Sequence, residues 1–299
     1  MEPASPLSAA RSDLWIPRGA LASCMRAVMS RDTRGVALDD DQRYNHLPAS
    51  PACSLVWYFS GSCELLEADC PAQADSPRAP VPRVAFCGPF TRPAISWNPG
   101  PMHAMALLLL PDALSLMTGI DPSDYVDRVV PPEDVFDAAW LAMCRAVDEA
   151  ADDEQRVRLI AAFLHPRWQQ ARPQAALPGR LLTDWSRGLA LRAATSGFGR
   201  SLRQTERRIK QWTGQTLREL RGVGRSEQAF FEVVAAHKSG SVNWSDVASN
   251  SGYADQSHLC RQTRRITGFA PEELRRRVAT EESFWAYRLW GFSEGMPGE

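Results

Sequence analysis

No stretch of this 299-residue chain is long and apolar enough to span a bilayer; the run from Met102 to Pro111 is too short. The first thirty residues lack a basic start, an apolar core and a small-residue cleavage site, which points to a cytoplasmic protein. Lysine is nearly absent: Lys210 and Lys238 are the only two, and every other basic side chain is arginine. Arginine suits bidentate contacts to phosphate and guanine, although a GC-rich genome accounts for much of the same bias. Seven cysteines form no Cys-x-x-Cys pair and leave one over in any disulfide scheme, so reduced thiols are expected. Cys63, Cys70 and Cys87 lack the spacing of structural zinc ligands. Histidine numbers five with no His-x-His pair, so His46 and His103 read as ordinary residues and not as ligands of a cupin-like metal site. The chain shows no Ser/His/Asp arrangement, no phosphate-cradling glycine loop and no dinucleotide fingerprint. These absences argue against an enzyme, a cofactor, a metal centre and a membrane partner.

What remains is globular, with 44% hydrophobic and 23% charged residues, and long enough for two domains. The formal charge of −1 conceals a division: Arg180 to Arg277 holds 18 basic against 9 acidic residues, net +9, and the remainder is net −10. An acidic N-terminal part joined to a basic C-terminal part suggests a regulatory module and a polyanion-binding module.

The pattern along the chain predicts an α+β protein, a β-rich N-terminal domain with a helical pair followed by an all-α domain. Residues 1 to about 40 signal little beyond a short helix around Leu21 to Met29. Cys53 to Phe59, Gly61 and then Cys63 to Leu66 read as a hairpin. Ala68 to Pro82 reads as a loop, and strands follow at Arg83–Gly88, Ala94–Trp97 and Met105–Leu110. Helices are expected at Asp112–Thr118, Glu133–Ala150 and Asp152–Gln170, the last two with apolar stripes that pair them. Residues 171–180, with two prolines and a glycine, form the expected linker between a domain at 1–170 and another at 181–299. Beyond it lie helices at Leu181–Ala194, Ser201–Trp212, Leu217–Arg221, Ser226–His237, Trp244–Asn250, Asp255–Ile266, Pro271–Val278 and Glu281–Trp290. Trp57, Tyr58, Phe86 and Trp97 read as core more simply than as a ligand cage, though an effector pocket lined by some of them stays open.

Two segments of the basic part repeat without a gap, 201–214 and 255–268. Each has a capping residue, Ser201 or Asp255, then an arginine six positions on, a basic pair and a Thr-Gly stop. Residues three and four apart share a helix face. Arg203, Glu206 and Arg207 therefore project together in the first helix, and Gln256, Ser257, Cys260 and Arg261 in the second. Arginine and glutamine can read guanine and adenine edges in the major groove. Arg208, Lys210, Arg264 and Arg265 lie off that stripe and suit phosphate. Arg275 to Arg277 could reach phosphate or be a solvated cluster. Cys260 and His258 have ordinary structural readings, inert thiol and cap-supporting ring.

The segment from Asp246 to Arg261, with Gly268 and Pro271 beyond it, resembles the C-terminal signature of the AraC/XylS family of transcription regulators. Ala248, Gly252, Tyr253, Asp255 to His258 and Arg261 carry the resemblance. Ser201, Arg203, Arg207, Arg208, Ile209 and Gly214 resemble the first of the family's two helix-turn-helix units. The resemblance implies a bipartite domain whose two recognition helices enter successive major-groove segments of duplex DNA. Two positions depart from the pattern: Thr263 stands where the family usually has an aromatic residue, and Thr205 where it has a large aliphatic one. Further partners of the expected type are a small-molecule effector in the N-terminal domain, RNA polymerase and a second copy of the chain. The competing readings are a bifunctional enzyme with a DNA-binding tail and a protein that turns its basic helices to RNA or a partner. The first would need an active-site Cys motif, and the second an RNA module; neither is evident.

Overall fold

The computed structural model describes residues 10–173, 181–195, 201–238 and 242–293. Most of the expected linker, 174–180, lies outside the described residues. Among the described residues there are ten strands, nine of them ahead of the first α-helix: β1 (Arg11–Trp15), β2 (Met25–Asp32), β3 (Tyr44–Leu47), β4 (Cys53–Ser60), β5 (Glu64–Leu66), β6 (Arg78–Pro80), β7 (Val84–Cys87), β8 (Ala94–Trp97), β9 (His103–Leu109) and β10 (Val129–Val130). The helices are α1 (Pro111–Thr118), α2 (Ala138–Glu149), α3 (Asp153–Ala171), α4 (Leu182–Thr195), α5 (Leu202–Thr213), α6 (Leu217–Lys238), α7 (Trp244–Asn250), α8 (Gln256–Thr267), α9 (Pro271–Thr280) and α10 (Trp285–Ser293). The architecture is α+β, with a β-rich N-terminal region and a helical C-terminal region.

The strands form two antiparallel sheets, one in the order β1-β2-β9-β4-β7-β10 and a smaller one in the order β3-β8-β5-β6. The period-2 alternation of a strand divides the side chains of the larger sheet between its two faces. On β4, Cys53, Leu55 and Trp57 are fully buried in the main core, with Met105, Leu107 and Leu109 of β9 beside them. That core is closed by α2 and α3, through Trp140, Met143, Val147, Ile160, Leu164 and Trp168. Trp57 donates its ring N–H to the Cys144 carbonyl, and Trp168 donates to Ala20 O and Ser23 Oγ, so neither large ring strands a polar atom. Ser54, Val56 and Tyr58 on β4, with Ala104, Ala106 and Leu108 on β9, line the opposite side.

Several expectations give way here. Leu21 to Met29 is no helix: a 3₁₀ turn at Gly19–Ser23 runs into β2, which pairs with β1 and β9. Arg26 and Arg31 interrupt the apolar alternation of β2, which hid the strand. Cys53 to Leu66 is not a hairpin, because β4 pairs with β7 and β9 while β5 pairs with β6 and β8 in the other sheet. Gly61, with φ of +76° and Pro101 O against its open side, lets the chain cross between the sheets. The loop expected at Ala68–Pro82 contains β6. The two helices expected at Leu217–Arg221 and Ser226–His237 are one, α6. Its glycines are contact points: a Cβ at Gly224 would lie 2.9 Å from the backbone N of Thr183, and one at Gly222 would lie 2.5 Å from Gln262 Nε2.

The two regions share one core. Leu182, Trp185, Leu189, Ile209, Leu220, Val223 and Ile266 belong to the same buried cluster as Leu55 and Trp57. Polar ties cross the same boundary. Trp185 Nε1 donates to Asp112 Oδ1 at 2.9 Å, Arg192 pairs with Asp112 at 2.7 Å, and Ala49 N donates to Ile266 O at 2.8 Å. The C-terminal helix α10 turns back to the sheets, packing on β1 and β3, where Trp285 Nε1 donates to Asn45 Oδ1.

Candidate nucleic-acid interface

The repeat seen in the sequence is a repeat in space. Ser201 and Asp255 cap α5 and α8 through the backbone N–H three residues on, Gln204 and His258. Both helices stop at a left-handed glycine, Gly214 at φ +71° and Gly268 at φ +85°. The threonine before each glycine works the same way twice. Thr213 Oγ1 donates to Ile209 O and Thr267 Oγ1 to Thr263 O, and the amides of Gln215 and Phe269 return to those hydroxyls. Thr216 then opens α6 with a reciprocal cap: its N–H reaches Glu219 Oε2 and its hydroxyl accepts from Glu219 N.

Burial follows the same register. Ile209 and Thr213 of α5, and their counterparts Thr263 and Thr267 of α8, are buried. Arg203, Glu206, Arg207 and Lys210 on α5 are exposed, as are Gln256, Ser257, Arg261, Arg264 and Arg265 on α8; Cys260 is half-buried. The side chains of Arg203, Arg207, Arg261 and Arg264 make no hydrogen bond or ion pair with another described residue. Unpaired guanidiniums on an exposed helix face are available to an anionic ligand, and here two such faces occur in equivalent places. Lys210 and Arg265 both act on Glu219, whose carboxyl is lowered: burial raises it, but the Thr216 hydrogen bonds and these two cations outweigh that.

Other basic residues are engaged by the fold. Arg208 is half-buried and donates to the Ala193 carbonyl, tying α5 to α4. Arg275 is bound by Glu272, Arg276 by Glu281, and Arg277 by Glu273 and Glu281, so that cluster is internally compensated. His258 supports its cap and packs edge-on against Tyr253 at 5.2 Å. Thr205 gives its hydroxyl to Ser201 O.

Behind these helices lies a cavity of about 630 Å³ with a mostly apolar wall. Both regions build it: β2, β4, β9 and the smaller sheet on one side, and α6, α8, α9 and α10 on the other. Thr263 and Thr267, on the inner face of α8, are part of its wall. Of the four aromatics open to a pocket role, Tyr58 lines this cavity, whereas Trp57 and Phe86 are fully buried in the main core and Trp97 is stacked under Arg78. Arg26, Arg31, Glu227 and Arg288 also line it, residues that carry no motif and come together only in the fold.

The two histidines weighed as metal ligands lie on different sheets. His46 is stacked on Phe284 at 4.5 Å, and burial, with Arg277 nearby, lowers its ring to about 4. His103 meets Asp153 at 3.1 Å, and Asp153 is held near 2 because bonds from His103 and Arg156 overcome the burial that raises it. Among the described residues no three His, Cys, Asp or Glu side chains converge as a metal site. No helix among them is long and apolar enough to cross a membrane.

The helix-turn-helix domain family matches residues 195–277, a span that takes in α5 to α8 and most of α9. This is an AraC-type DNA-binding domain. No curated protein matches the chain. Among solved structures, an apo variant of ToxT from Vibrio cholerae is similar at 12% identity and a TM-score of 0.39, covering 82% of this chain and 95% of that one. The unsaturated fatty acid bound wild-type ToxT from the same organism is similar at 13% identity and a TM-score of 0.33, covering 77% and 93%. The AraC-type domain marks the chain as a DNA-binding regulator of transcription.

Proposed function

We propose that the chain is a sequence-specific transcription regulator that reads two successive major-groove segments, one with α5 and one with α8, under the control of a small molecule in the cavity. The carrying observation is the duplication: two capped helices present unpaired arginines on matching exposed faces, with Arg207 and Arg261 at equivalent positions and Arg203 and Arg264 beside them. In this reading Arg203, Glu206, Arg207, Gln256, Ser257, Cys260 and Arg261 face base edges, and Lys210, Arg264 and Arg265 hold phosphate. Arg208 serves the α4–α5 packing instead. The functional division falls at 171–180, with 1–170 sensing and 181–299 binding DNA, while α10 returns to the sensing side. The regulator acts in the cytoplasm on the chromosome, pairs with a second copy and answers to RNA polymerase. No catalytic step is included.

The effector half rests on the cavity. Its volume is about 630 Å³. Ligand sites of roughly 300–1,000 Å³ with mostly apolar walls are the usual size for small molecules. Because α6 and α8 form part of the wall, an occupant touches the helices that place the DNA-reading surface.

The test is site selection on random duplexes with the full chain, followed by hydroxyl-radical footprinting of the selected site. Two protected segments about one helical turn apart on one face are expected. Protection of a single segment, or no enriched motif, would overturn the two-helix reading.

A further inference from the structure

We infer that the cavity takes an uncharged, largely apolar molecule carrying a hydrogen-bond acceptor, such as a carbonyl, hydroxyl or ether oxygen, and discriminates against the corresponding anion. This rests on the effector reading above and specifies its chemistry.

The charge arrangement carries the inference. Four arginines line the cavity, and each already has an acidic partner. Arg26 pairs with Glu227, Arg31 with Glu282, Arg275 with Glu272, and Arg288 with Glu282. Arg288 also donates to the carbonyls of Val278 and Glu281 at the C-terminal end of α9, where the helix dipole supplies further negative potential. Glu227 is itself committed twice, to Arg26 and to the Leu182 amide that opens α4. The Arg26, Arg31, Glu227 and Glu282 side chains are no more than 14% exposed. A ligand carboxylate drawn to Arg26, Arg31 or Arg288 would therefore have to lie beside Glu227 or Glu282, or displace one of them, where water is scarce and like charges repel strongly. A neutral molecule disturbs none of these pairs.

The unmet hydrogen bonds complete the picture. Two buried residues of the wall, Arg31 at 3% exposure and Tyr287 at 6%, have a polar atom without a partner among the described residues, Nε and Oη. Both can donate, so the wall's demand is for an acceptor. Hydroxyls and thiols on the strands of the wall serve one another, Cys87 with Ser54, and Cys63 with Tyr58 and Ser96, while Thr267 donates to the Thr263 carbonyl. Burial pushes the Cys87 thiol up to about 12, so that part of the wall is neutral as well.

A matched pair of fluorophores tests this on the full chain. N-phenyl-1-naphthylamine is uncharged, and 1-anilinonaphthalene-8-sulfonate is the same skeleton with an anionic group. The neutral probe is expected to bind saturably at one site and at least tenfold more tightly than the sulfonate. Dodecan-1-ol is expected to displace it at least tenfold more effectively than dodecanoate at pH 8. Ala106→Phe on β9 and Ala229→Phe on α6, which fill the cavity from opposite sides, should each abolish the signal, and either one that folds suffices. If the anions bind as well as or better than their neutral partners, and Arg31→Gln removes that binding, the neutral class is wrong while the site stands. If neither probe binds, the site itself is refuted, and the effector reading fails with it.

Discussion

Removing Arg26 should destabilise this protein by more than the loss of an exposed ion pair would. Arg26 on β2 and Glu227 on α6 join the two regions, with side-chain exposures of 7% and 14%. Arg26→Met leaves the Glu227 carboxylate buried with the Leu182 amide as its remaining donor in that site. Stranding a buried charge in this way costs about 3–5 kcal/mol. For a cooperative unit of this size that lowers Tm by roughly 10 °C. Arg26→Met combined with Glu227→Gln removes both charges but keeps a side-chain oxygen for the Leu182 amide. The double variant should recover about 2–4 kcal/mol relative to the sum of the single ones. Arg187→Ala provides the contrast, since its pair with Asp184 is exposed at 76% and 54% and such pairs contribute less than about 1 kcal/mol. Urea unfolding of the four variants and the parent gives the coupling directly. A single transition is also expected, because one core spans both regions. A coupling below about 1 kcal/mol, or an Arg26→Met loss no greater than that of Arg187→Ala, would refute the view that this junction holds the regions together.

Arg207→Ala and Arg261→Ala should each weaken cognate DNA binding by about 1–3 kcal/mol and relax preference at one or two base pairs. Both residues are exposed and unpaired, so their melting curves should match the parent's. Arg265→Ala should weaken cognate and random duplexes alike and reduce the salt dependence by roughly one ion, read from titrations at several salt concentrations. Gly224→Ala should destabilise by about 1–3 kcal/mol, because its Cβ would lie 2.9 Å from the Thr183 backbone. Gly188→Ala in α4 meets nothing within 4 Å and should stabilise by about 0.5–1 kcal/mol in the same melts. His46, held near 4 when folded and near its ordinary 6.5 when unfolded, is taken up as a cation by the unfolded chain first as pH falls. Its contribution is therefore full above 6.5 and is lost progressively towards 4, about 2 kcal/mol between pH 7 and pH 5. His46→Phe should flatten that slope, and an unchanged slope would contradict the buried neutral ring.

The DNA-binding half was legible in the sequence because its signals are local. Ser201 and Asp255 cap, Thr-Gly stops, and apolar residues recur at helical spacing, all within a dozen positions. Each such signal is settled by a hydrogen bond between near neighbours, so one chain suffices to read it. Strands β4, β8 and β9 were legible for a similar reason, in their β-rich composition and the turns between them. The pairing of those strands was not. Cys53 to Leu66 carries every mark of a hairpin, yet β4 and β5 belong to different sheets, because pairing is chosen by partners distant in sequence. The glycines of α6 looked like a break between helices; the close approach of α4 and α8 that makes them necessary exists only in three dimensions.

The cavity belongs wholly to tertiary structure. Arg26 and Arg31 appear in the sequence as charges that spoil a strand pattern, and Glu227 and Glu282 as two acids in a basic domain. Only the packing of α6, and of the 3₁₀ turn before α10, against β2 brings each arginine to its glutamate, away from water. The sequence by itself thus determined that the C-terminal part carries two capped helices in one repeated register, since caps and periodicity act over a few residues. Tertiary structure alone decided that α8 turns its inner face, Thr263 and Thr267, toward a space shared with the N-terminal sheets. Burial and charge pairing across residues two hundred positions apart are properties of the folded arrangement, and no local pattern encodes them.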